Sequence, residues 1–248
     1  MSGEGQSAFA QRLERIEDEI AAACRRAGRR RGDVALMAVS KMHPSSAIRE
    51  AFANGIRLFG ENRVQEFTQK STELADLLHP ETSSADSPVF HLIGHLQSNK
   101  SAKAMDIFDG IDSVDSLRLA QRLDEAAQAR GRKLPILLEI KLSHEETKTG
   151  LDPASYELLD LLNRMPSMPF LDLRGLMTVP PYDEDPECAR PYFRQLRELR
   201  DSLSQAHPHT HLSDLSMGMS GDFAVAIEEG STVIRLGTAL FGERKYAR

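Results

Sequence analysis

Cysteine is scarce: the 248 residues hold only two, Cys24 and Cys188. Two thiols cannot build a disulfide framework or a four-cysteine zinc site, so a reducing, cytoplasmic setting is expected. Long apolar runs are missing as well. No segment approaches the roughly 20 apolar residues that span a bilayer. The start, M-S-G-E-G-Q-S-A-F-A, lacks the apolar core of a secretory signal. There is no excess of basic residues. With 31 Lys and Arg against 37 Asp and Glu, the formal charge is −6, which argues against a broad nucleic-acid surface. Several signatures of chemistry are also absent: H-E-x-x-H, a Walker loop, G-x-G-x-x-G behind a strand, and the G-x-S-x-G elbow. His207, His209 and His211 alternate and could share one face, but no acidic or cysteine partner stands nearby at helical spacing. A loop interrupted by Pro208 is preferred to a metal site.

What remains is a rhythm of strands and helices. Phe9, Leu13, Ile16, Ile20 and Ala23 recur at three- and four-residue spacing, which predicts an opening helix ending near Gly28. The basic cluster Arg25, Arg26, Arg29, Arg30 and Arg31 reads as the solvated end of that helix. Val34–Val39 is apolar without alternation, as in a strand buried on both faces. A second helix follows Pro44 and closes at Gly55. Further strands are expected at Ile56–Gly60, Val89–Gly94, Ile107–Asp112, Pro135–Lys141, Asp172–Val179, His211–Ser216 and Thr232–Leu236. Helical patterns are marked by Leu119, Leu123 and Ala126, by Pro153 behind an Asp152 cap, by Phe193 to Leu203, and by Phe223 to Ile227. Eight strands separated by helix-sized intervals imply parallel pairing. The expected fold class is α/β: one (β/α)8 TIM barrel spanning residues 1–248, with an extra N-terminal helix. An open doubly wound sheet is the rival. His79–Pro88 and Pro180–Glu187 read as exposed loops.

In a parallel barrel the chemistry sits where strands run out. The first strand ends in Ser40-Lys41, which places an amine at the mouth. Partial desolvation there would favour the neutral, nucleophilic form; the alternative is an ordinary exposed lysine. Two glycine-rich turns follow the last two strands: Ser216-Met217-Gly218-Met219-Ser220-Gly221-Asp222, and Gly237-Thr238. Such turns at helix starts suit a phosphate, although helix caps alone would also explain them. Arg235 lies inside an apolar strand and needs an acceptor, either a carboxylate such as Glu61 or Glu139 or a ligand atom.

Six blocks carry a resemblance. They are A-V-S-K-x-x-P (Ala38–Pro44), F-G-E-N-R-V-Q-E (Phe59–Glu66), H-L-I-G-H-L-Q-S-N-K (His91–Lys100), G-L-M-T-V-P-P (Gly175–Pro181), L-S-M-G-M-S-G-D-F (Leu215–Phe223) and I-R-L-G-T-A-L-F-G (Ile234–Gly242). In this order, from Leu36 to Tyr246, the chain resembles the pyridoxal 5′-phosphate homeostasis proteins, relatives of the alanine racemase N-terminal barrel. The resemblance implies that Lys41 forms a Schiff base with pyridoxal phosphate. It implies that the phosphate rests among Ser216, the Met217-Gly218 backbone, Gly237 and Thr238. It sets Arg235 against the pyridine nitrogen and Asn62 near the ring hydroxyl. His91 and Gln97–Lys100 are family signatures with no role assigned. The fifth loop departs from the pattern, with Lys141 for the usual asparagine and His144 for the glycine, while Glu145, Lys148 and Gly150 remain.

The function so implied is a pyridoxal phosphate carrier or buffer in vitamin B6 and amino-acid homeostasis, without efficient catalysis. An arginine cannot hold a proton on the pyridine nitrogen, so the ring would be a weak electron sink. None of Tyr156, Tyr182, Tyr192 and Tyr246 lies in a block like the racemase base, and the racemases' separate C-terminal domain is not expected here. A slow amino-acid racemase is the alternative. The expected partners are pyridoxal phosphate and apo-enzymes that use it, with no nucleic acid and no membrane, as a monomer or weak dimer.

Overall fold

The structure, a computed structural model, describes residues 7–78, 87–143 and 149–243. Eight parallel strands close into a barrel in chain order, the first pairing with the last through Ala35↔Val233 to Ala38↔Leu236. They are β1 (Ala35–Val39), β2 (Leu58–Glu61), β3 (Val89–Leu92), β4 (Gly110–Val114), β5 (Leu134–Glu139), β6 (Leu171–Met177), β7 (Asp214–Ser216) and β8 (Val233–Leu236). The open sheet is thereby excluded.

Alternation along each strand separates two environments. Leu36, Ala38 and Phe59 face outward into the apolar layer beneath the helices. There Phe59 and Phe67 both pack on Phe90, with ring centroids 5.1 and 4.5 Å from it, and Phe108 stacks on Phe67 at 4.9 Å. Met37, Val39, His91, Asp112 and Arg235 alternate the other way and line the lumen. The main apolar core is therefore the ring between sheet and helices, and the lumen is partly polar.

The opening helix α1 (Ala8–Arg26) is capped by Ser7, whose hydroxyl accepts from the Ala10 amide at 3.2 Å. Its basic end is more than solvated. Arg26 pairs with Glu228 at 2.6 Å and Arg29 donates to the Ile227 carbonyl at 2.8 Å, while Arg12, near the start of the helix, donates to Leu240 O at 2.8 Å. These bonds fasten α1 onto the eighth unit, where α9 (Phe223–Glu228) and α10 (Thr238–Phe241) lie. The remaining helices are α2 (Ser45–Ala53), α3 (Val64–Glu73), α4 (Ala75–Leu78), α5 (Ser101–Ile107), α6 (Leu117–Gln128), α7 (Tyr156–Arg164) and α8 (Arg190–Ala206).

Several boundaries differ from expectation. The seventh strand, expected from His211, starts at Asp214, and the second, expected from Ile56, starts at Leu58. The apolar residues near Ile107 end α5, and the fourth strand starts later, at Gly110. Phe108 belongs to the outer core, and the Asp109 carboxylate turns the chain by accepting from the Phe90 amide at 2.8 Å. A short apolar stretch cannot by itself distinguish a helix end from a strand. Asp152 accepts from the Ala154 amide at 2.7 Å and makes a turn, while Ser155 caps α7, so that helix starts at Tyr156 rather than Pro153.

Gly175 shows how tightly the strands meet. A Cβ there would lie 1.9 Å from the Asp214 carbonyl oxygen of the neighbouring strand. That neighbour is backbone held in a ladder and cannot swing aside. Gly175→Ala is therefore expected to lower unfolding stability by about 3 kcal/mol, read from the denaturation midpoint in urea at unchanged m-value.

Candidate functional site

Inward alternation carries Met37 and Val39 on to Lys41, the second residue past β1. Lys41 is half-buried and lines a cavity of about 400 Å³ at the C-terminal mouth of the barrel. Ser40 points the opposite way, fully buried, and its hydroxyl donates to Glu61 Oε1 at 2.8 Å. Asn62, just past β2, also reaches the cavity, and its Oδ1 is buried with no hydrogen-bond partner in the protein.

Arg235 rises from β8 at the cavity floor. It donates from Nη1 to Ser216 Oγ and from Nη2 to the Thr178 carbonyl, both at 2.8 Å. Burial pushes its pKa down, while the carboxylates of Asp112, Asp222 and Glu139 pull it back up. Of the two carboxylates named from sequence, Glu61 faces outward to α3 and is no partner of Arg235. Glu139 acts on it electrostatically, and its own carboxyl is raised by burial and by nearby Asp115.

Two turns, after β7 and β8, line the cavity next to the Lys41 segment. One carries Met219, Ser220, Gly221 and Asp222, the other Gly237 and Thr238. Ser220 Oγ accepts from the Ala239 amide at 3.2 Å and ties the turns together. Asp222 accepts from the Met219 amide at 2.6 Å, and burial raises its carboxyl. Ser216, Met217 and Gly218 lie beneath the cavity instead of lining it. Ser216 holds Arg235, the Met217 side chain is in the core, and the Gly218 carbonyl accepts from the Arg235 amide at 2.9 Å. Gly218 has φ +96°, and a Cβ there would come within 2.6 Å of Ala226 Cβ. Ser220 and Gly221, which the resemblance did not single out, take the exposed positions one step further on. The loop after β6 forms the remaining wall through Val179, Tyr182, Asp183 and Asp185, so Pro180–Glu187 borders the site rather than solvent alone.

His91 sits lower in the lumen, with Nδ1 2.8 Å from Asp112 Oδ1. Burial alone would lower its pKa, but Asp112, with Asp109 and Asp214 adding to it, outweighs burial and leaves it above the ordinary value of 6.5. A raised folded-state pKa contributes stability that is complete below the unfolded value and lost as pH rises through the folded one. Stability in urea is therefore expected to fall on the alkaline side of 6.5, and Asp112→Asn should flatten that dependence. The Gln97–Lys100 segment lies outside the cavity, in the short turn before α5. His207 and His209 meet ring edge to face at 5.9 Å, and no three potential metal ligands gather among the described residues. His144, Glu145, Lys148 and Tyr246 lie outside the described residues.

The donor set fits a small anionic aldehyde. An amine, a guanidinium and glycine- and hydroxyl-bearing turns line one cavity, with the Gly237 turn beside the strand that carries Lys41. The buried Asn62 Oδ1 asks for a hydroxyl donor from a ligand. At Gly221 a Cβ would meet nothing within 4 Å, so a side chain would jut into open space that glycine leaves clear.

The family model for the alanine racemase N-terminal domain matches residues 12–245. The pyridoxal phosphate homeostasis protein of Aquifex aeolicus is 44% identical over 236 residues, covering 95% of this chain and 98% of that protein. The structure of PipY from Synechococcus elongatus, with pyridoxal phosphate bound, is 41% identical with a TM-score of 0.81, covering 94% of this chain and all of that one. An alanine racemase of Clostridium difficile is 15% identical with a TM-score of 0.67, over 94% of this chain and 57% of the racemase, a likeness of fold alone. No helix among the described residues is long and apolar enough to cross a membrane.

Proposed function

This chain belongs to the pyridoxal phosphate homeostasis proteins, within the alanine racemase N-terminal domain family, and from that premise we propose that it holds pyridoxal phosphate in the mouth cavity, as a carrier or buffer without efficient catalysis. The observation that carries the reading is the convergence of Lys41, Asn62 and Arg235 on one cavity with the Ser220-Gly221 and Gly237-Thr238 turns. When bound, the cofactor supplies an aldehyde that condenses reversibly with amines and a ring that draws electrons.

Lys41 is the amine placed to condense with the aldehyde. Asn62 would meet the ring hydroxyl. The two turns would hold the phosphate, with Ser216 and the Met217-Gly218 backbone supporting them from below. Arg235 would donate to the ring nitrogen, and, with no site to accept a proton, it would not keep that nitrogen protonated. A weak electron sink supports holding rather than turnover. The naming of relatives as homeostasis proteins supports the same reading. Release to apo-enzymes needs a reachable bond, and half-exposed Lys41 at an open mouth provides one. Cys24 and Cys188 are unbonded thiols, in keeping with a cytoplasmic setting.

The test is to add pyridoxal phosphate to purified protein, follow visible absorption, reduce with borohydride and map the adduct by peptide mass. One adduct, on Lys41, is expected. An adduct confined to another lysine would overturn the assignment. Loaded protein should restore activity to an apo-enzyme, and α-deuterium exchange of alanine should stay far below enzymatic rates.

A further inference from the structure

Behind the cavity wall lies a charged cluster that touches no ligand space. Lys70, on α3, keeps only 10% of its side chain exposed. Its ammonium has three acceptors: the Ser40 carbonyl at 2.8 Å, Glu61 Oε1 at 2.8 Å and Glu66 Oε1 at 2.7 Å. An ammonium has three N–H groups, so its donor capacity is fully used. Both acids also grip the segment around Lys41. Glu61 Oε1 accepts from the Ser40 hydroxyl at 2.8 Å, and Glu66 Oε1 accepts from the Met42 amide at 2.5 Å.

The residues on either side of Lys41 are thus tied to one buried cation. Met42 is held at φ +62°, the sole non-glycine residue with positive φ among those described. A left-handed conformation is unfavourable for a side-chain-bearing residue and persists only where surroundings enforce it. The turn closed by the His43 amide on the Ser40 carbonyl at 3.0 Å sets that conformation, and the Glu66–Met42 bond holds it from outside the turn. Burial raises the Glu61 carboxyl, and Lys70 and Ser40 oppose the rise. A buried ion pair of this kind is poor evidence of added stability, because an apolar replacement of similar volume does as well or better. Its geometry here serves the loop it grips.

We propose that Lys70, with Glu61 and Glu66, is a positioning device that fixes the Ser40–Met42 backbone and so presents the Lys41 amine to the cavity. The proposal rests on the reading of Lys41 as the condensing amine.

The test uses the full chain with Glu66→Ala, Glu66→Gln and Lys70→Met. Amide hydrogen exchange of the peptide holding Met42, without cofactor, reports the clamp. Borohydride-trapped pyridoxal phosphate on Lys41 at limiting cofactor reports its consequence. Glu66→Ala should speed Met42 exchange about tenfold and weaken apparent cofactor affinity by a similar factor, the scale of one lost charge-assisted bond. Glu66→Gln keeps an oxygen acceptor and should stay within about threefold of wild type on both readouts. Lys70→Met should resemble Glu66→Ala. Should it fail to fold, the Glu66 pair decides alone, since that side chain is partly exposed. Glu66→Ala with wild-type exchange overturns the clamp. Faster exchange with unchanged trapping reduces the cluster to a structural role and equally overturns the proposal. If wild-type protein forms no adduct on Lys41, the cofactor reading fails, and the exchange arm still judges the clamp.

Discussion

Lys41→Ala is expected to reduce the borohydride-trapped pyridoxal phosphate adduct from near one per chain to background. The visible band induced by the cofactor should vanish with it. Among the described residues Lys41 is the lysine that lines the mouth cavity, beside the Gly237 turn and together with Arg235. Lys70 is buried behind the wall with its ammonium given to Ser40, Glu61 and Glu66. It cannot stand in without dismantling the cluster that holds it. Lys41 is half-buried and past the end of a strand, so its truncation should move folding stability by no more than about 0.5 kcal/mol. Loss of adduct with unchanged denaturation separates the lost bond from misfolding. A full adduct in the alanine variant would refute the site.

The second large effect is on stability. Arg235→Met is expected to cost about 3 kcal/mol, measured by urea denaturation at neutral pH. The guanidinium donates to Ser216 Oγ and Thr178 O, both at 2.8 Å, and faces Asp112, Asp222 and Glu139. Methionine fills similar space but leaves two acceptors without donors and three acids without their shared cation. Asp222 and Glu139 are already raised by burial, with Arg235 pulling them down. Without it they rise further. A carboxyl whose folded-state pKa exceeds its unfolded value binds more protons when folded, so stability falls as pH climbs between the two values. The deficit should therefore be largest at neutral pH and shrink in acid. Arg235→Lys should recover only part of it, because one ammonium does not reproduce a planar fork reaching two acceptors at once. A variant as stable as wild type at neutral pH would refute this account of the lumen.

Legibility in the sequence followed physical locality. Lys41 could be placed because a buried strand ends just before it, and strand alternation is local. Asn62, Gly237 and Thr238 could be placed because family blocks fall at strand ends. The glycine-rich turn after β7 is less legible. Of the residues expected around a phosphate, Gly237 and Thr238 line the cavity, whereas Ser216, Met217 and Gly218 do not and Ser220 and Gly221 do. β7 is only three residues long, and Gly218, at φ +96°, redirects the chain before it reaches the mouth. No composition rule gives the angle at which a short strand leaves a barrel. Glu61 was open as a partner for Arg235, yet it occupies the outward phase of β2, where Gly60 takes the inward one. Lys70 is not legible in the sequence, because nothing in a helical surface pattern distinguishes a buried lysine from a solvated one.

By itself, then, the order of residues determined eight strand–helix units, the amine at the end of the first strand and the arginine within the last, since periodicity and strand termini act over a few neighbours; that the units close into a barrel and not an open sheet was decided by the pairing of the first strand with the last. Tertiary structure alone decided which turn residues face the cavity, which carboxylates surround the guanidinium, and that a lysine far along the chain holds the loop beside Lys41. Those are matters of distance between segments remote in sequence, and only closing the barrel sets them.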